Sequence, residues 1–230
     1  MTTTLQRRTP SRRGWALPAG LIALSLVPVV AGGLRLVELG GGPKVVPDGG
    51  RDYAHAPGFL IAHIVAVIGY AVLGAFQFAP RFRARRPGWH RVAGRLLVVC
   101  GVVGALSGLW LSLFQHRPDI SPLLTAFRIV FGVAWVAFLV LGFTTIRRRD
   151  ITRHREWMIR AYAIALGAGT QAFTFGAWQL AVGTAEGLAE ALLMLAGWAI
   201  NLAVAEWTIR RSPARRRAAP AGRGSAGVGG

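Results

Sequence analysis

The chain has 230 residues, 53% of them hydrophobic, and still carries a formal net charge of +18. So apolar and so basic a composition excludes an ordinary soluble nucleic-acid binder, whose charge would coat a polar face, and fits a membrane protein with its arginines gathered in loops on one side. The one cysteine, Cys100, excludes an intrachain disulfide and any multi-cysteine zinc or iron–sulfur site.

In chain order, residues 1–13 are a basic segment with Arg7, Arg8, Arg12 and Arg13. An apolar run follows from Trp15 to Val37. Arg12-Arg13 ahead of it faintly resembles a twin-arginine export signal, but no soluble domain follows, so the run is expected to stay as a first membrane helix. Pro28 is expected to kink it, leaving a carbonyl for a neighbour to satisfy. Residues 38–57 are rich in Gly, Pro and Asp and read as a loop. Five further apolar runs occupy 58–79, 92–114, 123–146, 157–181 and 187–209. Each is about 22–25 residues, enough to cross a hydrocarbon core of ~30 Å. From about Ser212 the chain is Arg, Ala, Pro and Gly, a composition expected to be disordered.

Counting cations sets the threading. With the N-terminus inside, the inner segments hold 22 of the 27 Arg and Lys residues. The outer set is Arg35, Lys44, Arg51, Arg117 and Arg128. The positive-inside rule then predicts an all-α, six-transmembrane-helix bundle with both termini cytoplasmic in the cell (plasma) membrane. The expected division is a basic segment at 1–13, a membrane domain at 14–210 and a tail at 211–230. Two basic hairpins, at 80–95 and 147–160, share a His-Arg pair and a downstream Arg, which suggests a parallel internal repeat.

Polar residues at membrane depth are costly and usually face the bundle interior. His63, Tyr70, Gly74 and Gln77 share one face of the second helix, so His63, Tyr70 and Gln77 form a candidate polar stripe. Gly94, Gly101, Gly104 and Gly108 mark a close-packing face on the third. Gln77, Thr170, Thr174 and Asn201 read as hydrogen-bonding links between helices, and Gly167 and Gln171 share the inner face of the fifth. Arg128 and Glu190 have matching depth and form a candidate intramembrane pair. Glu156 and Arg160 have the favourable spacing for a local helix pair. Trp15, Trp89, Trp110, Trp157 and Trp178 lie near helix ends, as interfacial anchors do.

Histidines on both sides raise the possibility of haem b held by pairs drawn from His63, His116, His90 and His154. Their depths fit poorly, since His116 lies past a helix end and His90 and His154 flank basic loops. An outer metal site from His55, His63, His116, Asp52 and Asp119 has suitable donors without a diagnostic spacing. His90, Arg91, Arg95, His154, Arg155 and Arg160 form a candidate inner-face site for an anionic lipid headgroup or ligand. The plainer reading is that these arginines only set topology. No catalytic motif is present. A role in binding or transport of a small molecule or lipid, or as a scaffold, is therefore expected ahead of electron transfer, with the bilayer as partner.

His63, Gly74-Ala75-Phe76-Gln77-Phe78-Ala79-Pro80, Arg83, His90-Arg91-x-x-Gly94-Arg95 and His154-Arg155-x-Trp157-Met158-Ile159-Arg160-x-Tyr162 together resemble the bacterial predicted membrane proteins of the family named domain of unknown function 2306. The resemblance spans about residues 58–175 and implies a multi-helix integral membrane protein, with no activity, cofactor or catalytic residue attached. The family pattern often carries an Arg near Thr170-Gln171, which this chain lacks.

Overall fold

The computed structural model describes residues 13–45, 57–79, 84–114 and 121–212. Its long elements are all helices: α1 (Arg13–Leu39), α2 (Pro57–Gln77), α3 (Pro87–Phe114), α4 (Pro122–Arg147), α5 (Ile151–Ala165), α6 (Gly167–Ala181) and α7 (Gly187–Arg210). Five of them, α1 to α4 and α7, are long and apolar enough to cross a membrane. The basic segment before Arg13, the tail beyond Ser212, and His55, Arg81, Arg83 and His116 lie outside the described residues.

The fifth apolar run departs from expectation. In place of one helix over 157–181 there are two, meeting at Leu166. The two halves also have different neighbours. α5 packs against α4, α7 and α2, whereas α6 packs against α7 and α1. Four consecutive α5 residues, Ala161 to Ile164, are buried, so the last turn of this half-helix is enclosed on all sides. α7 is the rail common to both halves.

Side chains repair the break. Ala163 O would accept from the Gly167 N–H in a continuous helix; it accepts instead from Asn201 Nδ2 on α7 at 3.1 Å. Asn201 Oδ1 in turn accepts from Thr170 Oγ1 on α6 at 2.7 Å. One amide thus holds both half-helices. Gln171 Nε2 donates to Met194 O at 3.0 Å and Thr174 Oγ1 to Leu193 O at 3.2 Å, which closes the α6–α7 seam. Thr170, Thr174 and Asn201 are therefore inter-helix links. Gln77 is not: its amide nitrogen and oxygen are buried with no hydrogen-bond partner among the described residues.

α1 runs through Pro28. Proline has no N–H, so Leu24 O, four residues back, loses its helical donor. That carbonyl abuts Gly169 of α6, and a methyl group there would overlap it. The space left by the absent side chain admits a Cα–H···O approach, a weak but recurring contact between close helices.

Without a hydrophobic driving force between helices in lipid, close packing and interhelical bonds supply the association energy. The glycine face of α3 serves this purpose. A Cβ on Gly101 would meet Leu139 and Tyr70, one on Gly104 would meet Val67 and Trp135, and one on Gly108 would meet His63. Gly94 has nothing within 4 Å and takes no part. Gly74 on α2 admits the ring of Tyr162, whose hydroxyl donates to Ala71 O at 2.7 Å. Tyr70, Trp135 and Tyr162 form the aromatic centre of the core with Leu97, Leu139 and Leu166.

The two hairpins differ in construction. α3 is continuous over 28 residues, whereas the corresponding element of the second hairpin is cut at Leu166. The α4–α5 turn is tight. Asp150 N–H donates to Thr145 O and Arg149 N–H to Ile146 O, the pattern of a Schellman cap. Arg149 occupies the left-handed position at φ 61°. Asp150 then caps α5, accepting from the Arg153 N–H at 3.0 Å.

Candidate functional site

The change of neighbours at Leu166 leaves space above Tyr162. A cavity of about 420 Å³ lies in the half of the bundle away from the arginine clusters, with side chains from all seven helices in its wall. The break itself contributes Ile164, Leu166, Ala168 and Gly169. Most of the wall is apolar, including Phe131, Trp135 and Trp198. Its polar members are Ser25, His63, Ser112, Arg128 and Gln171.

His63 is fixed by α3. Its Nδ1 lies 2.9 Å from Gly104 O and 3.3 Å from Ser107 Oγ. A carbonyl only accepts, so Nδ1 carries the proton, and the neutral ring keeps its lone pair on Nε2. The Ser107 hydroxyl donates to Val103 O at 2.6 Å and can only receive from the imidazole. Gly108 makes room for the ring. His63 and Arg128 each lie six residues into helices that run in the same direction, α2 and α4, which puts them at matching depth in one wall.

Two wall hydroxyls are already committed as donors. Ser25 donates to Leu21 O at 2.9 Å and Ser112 to Gly108 O at 2.8 Å, which leaves their oxygens as acceptors. Trp135 differs. It is only 6% exposed, and its buried indole meets the Tyr70 side chain edge-on without a well-formed hydrogen bond.

The expected stripe of His63, Tyr70 and Gln77 does share the α2 face turned to the interior, but it is not a continuous polar path. Tyr70 is 1% exposed and packs edge-on against Trp135, with ring centroids 5.3 Å apart. It belongs to the floor that closes the cavity below His63. Gln77 lies beyond that floor, near the arginine-rich end.

The six residues grouped as an inner-face site fall into two sets. Arg91, Arg95 and Arg155 are exposed on the first turns of α3 and α5. His90 is half-buried beside Trp89. His154 and Arg160 hold helices together. His154 Nδ1 bonds Gly142 O of α4 at 2.8 Å. Arg160 meets Glu206 of α7 through a two-pronged bridge, Nε to Oε1 at 2.5 Å and Nη2 to Oε2 at 3.2 Å. Its guanidinium also stands 4.8 Å from the Trp157 ring. The expected i, i+4 partner Glu156 is thus replaced by Glu206, 46 residues away, which sequence spacing did not single out. Glu190 is buried on the first turn of α7 and lies outside the cavity wall.

The haem expected from the sequence takes a histidine pair from facing helices at matched depth on one side of the bundle. His63 bonds α3 in one half of the bundle, and His154 bonds α4 near its arginine-rich end. His63 and His154 thus lie toward opposite ends of the bundle, as the sequence reading placed them. His116 is outside the described residues, and so are His55, Asp52 and Asp119 of the expected metal site. Among the described residues no three His, Cys, Asp or Glu side chains gather as a metal-holding group.

No curated protein and no solved structure matches the chain. A family model does, over residues 60–209, which takes in every helix from α2 to α7. On that match, and on its long apolar helices, the chain belongs to the predicted membrane proteins of the family designated DUF2306.

Proposed function

We propose that this protein binds a small amphipathic molecule in the cavity between its helices, in the half of the membrane away from the arginine clusters. The observation that carries this reading is the cavity itself. Its size lies within the range of about 300–1,000 Å³ usual for small-molecule sites. Its wall has the usual make-up too, mostly apolar with a few fixed polar groups. A broken helix at membrane depth supports the same reading, because irregular backbone there is tolerated where it is buried or borders a cavity, and transporters place such breaks at their binding sites.

The proposed setting is the plasma membrane, with six crossings and both termini cytoplasmic. α5 and α6 together make the fifth crossing. The aromatic floor formed by Tyr70, Trp135 and Tyr162 favours binding over open conduction. Arg91, Arg95 and Arg155, exposed at the opposite end, suit contact with anionic lipid headgroups.

The test is to purify the protein gently and identify co-purifying small molecules by native mass spectrometry. Ala168 is exposed and lines the cavity, so Ala168→Phe is the occluding variant. A bound species present in the wild type and lost in A168F is expected. Identical occupancy in both would overturn the reading. A reporter active only in the periplasm, fused after Arg217, is expected to be silent; activity there would overturn the threading.

A further inference from the structure

We infer that the ligand is uncharged and carries a hydroxyl head, which donates its proton to Nε2 of His63, on an apolar body of about a dozen non-hydrogen atoms. This rests on the binding role proposed above and names its substrate class.

The head follows from the hydrogen bonds already made. His63 gives its Nδ1 proton to Gly104 O at 2.9 Å, so Nε2 of the neutral ring has a lone pair and no proton. Both hydrogen-bond contacts of the ring involve Nδ1, and Nε2 has no partner among the described residues of a chain in which His63 lines the cavity. Ser112 is its neighbour across Gly108. The glycine abuts the imidazole, and its carbonyl takes the Ser112 hydroxyl proton at 2.8 Å. The Ser112 oxygen is therefore also left to accept. Backbone carbonyls of α3 hold both groups in these roles. A shift of tautomer would set the Nδ1 lone pair against Gly104 O, and a rotated Ser112 hydroxyl would abandon Gly108 O. This corner of the wall, between α2 and α3, thus presents two acceptors and is matched by a donor.

Among donors, a neutral hydroxyl suits it best. A carboxylate or phosphate head would set lone pairs against lone pairs. Arg128 already has an interaction of its own within the chain, so its charge is not spare for such a head. An ammonium would be a buried cation, which needs an anionic partner. No Asp or Glu lines the wall among the described residues. An amide would bring a carbonyl as well, for which the His63–Ser112 pair has no donor. A hydroxyl supplies the proton and carries the least polar surface into the low-dielectric interior.

The body follows from size and lining. At about 30 Å³ per water-sized unit, 420 Å³ holds on the order of fourteen such units. Phe131 and Trp198 stack with ring centroids 4.5 Å apart and, with Trp135, give the wall broad apolar surface.

The experiment measures equilibrium binding of radiolabelled decanol and its isomer methyl nonyl ether to the full-length protein in phosphatidylcholine nanodiscs. Empty nanodiscs are subtracted, and affinities are referred to the concentration in the lipid. Decanoate and decylammonium are run beside them. Saturable decanol binding near one per chain is expected, tighter than the ether by about threefold or more and tighter than either ion. His63→Leu should bring decanol to the level of the ether, and Ser112→Ala should remove part of the preference. Should the His63 variant fail to fold, the two isomers in the wild type and in S112A still decide. A smaller preference for decanol over the ether, as a corner satisfied by water alone would give, overturns the hydroxyl assignment and leaves the binding role standing. So does an ion bound as tightly as decanol, or a preference that survives H63L unchanged. Absence of saturable binding by all of the probes, with A168F indistinguishable from wild type, overturns both.

Discussion

Asn201 is the residue whose removal tests the architecture most directly. Asn201→Leu keeps the approximate volume and deletes two bonds at once. The first is the bond accepted from Thr170 at 2.7 Å, the second the bond donated to Ala163 O at 3.1 Å. An interhelical side-chain bond in a membrane is worth about 0.6 kcal/mol on average and up to ~1.7. The Ala163 carbonyl then loses its replacement donor, and a buried polar group left without a partner costs about 1–3 kcal/mol. The expected destabilisation is therefore about 2–4 kcal/mol. Thr170→Val breaks only the first bond and should cost about 1 kcal/mol. In the double variant the Thr170 change should add little, because its partner is already gone. Reversible unfolding in mixed micelles with increasing SDS fraction, or steric trapping in bilayers, measures all three. A loss below 0.5 kcal/mol for N201L, or strict additivity in the double variant, would refute the view that this amide clamps the broken helix.

Other outcomes follow from the same contacts. Gly169→Ala places a methyl group against the backbone carbonyl of Leu24, which cannot rotate away, and should cost at least 1–3 kcal/mol by the same unfolding assay. Gly142→Ala meets instead the flexible end of Met158 and should cost clearly less. Arg149→Gly relieves a left-handed backbone at φ 61° and should raise stability by roughly 1 kcal/mol, visible as a higher melting temperature. Glu206→Gln should cost about 1.5–3 kcal/mol, as loss of a charge-assisted bond does, and a double-mutant cycle with Arg160→Gln should show coupling between the two positions.

The positions of the helices were legible because each is a long apolar run between basic or Gly/Pro-marked joints, and length alone decides the matter in a membrane. The break at Leu166 was not. Leu166-Gly167-Ala168-Gly169 is as apolar as its surroundings, and glycine pairs in membrane helices usually signify close packing. The hydrogen-bonding roles of Thr170, Thr174 and Asn201 were readable from their residue types, since a polar group in lipid has to find a partner. Gln77 met the same description and has no partner among the described residues. The partner of Arg160 was hidden because spacing along one helix proposes Glu156, while the fold supplies Glu206 from another. His63 was recognised as inward-facing, but its bond to Gly104 and the cavity beside it depend on how three helices converge, which no local pattern records.

The aromatic layer beneath the cavity also bears on how the protein sits in an energised membrane. A hollow in one half of a bilayer threatens to leak protons or ions. Tyr70, Trp135 and Tyr162, backed by Leu97 and Leu139, form an insulating plug between the hollow and the arginine-rich end. Moving one elementary charge through a full potential of 100 mV is worth about 2.3 kcal/mol. Were water to fill the hollow, most of that potential would fall across the plug, as voltage concentrates on the thinnest dielectric in a series of capacitors. Arg128, in the wall of the hollow, would then sense only a small fraction of the field. Widening the plug, for instance at Tyr70, would accordingly convert a closed floor into a conducting fault.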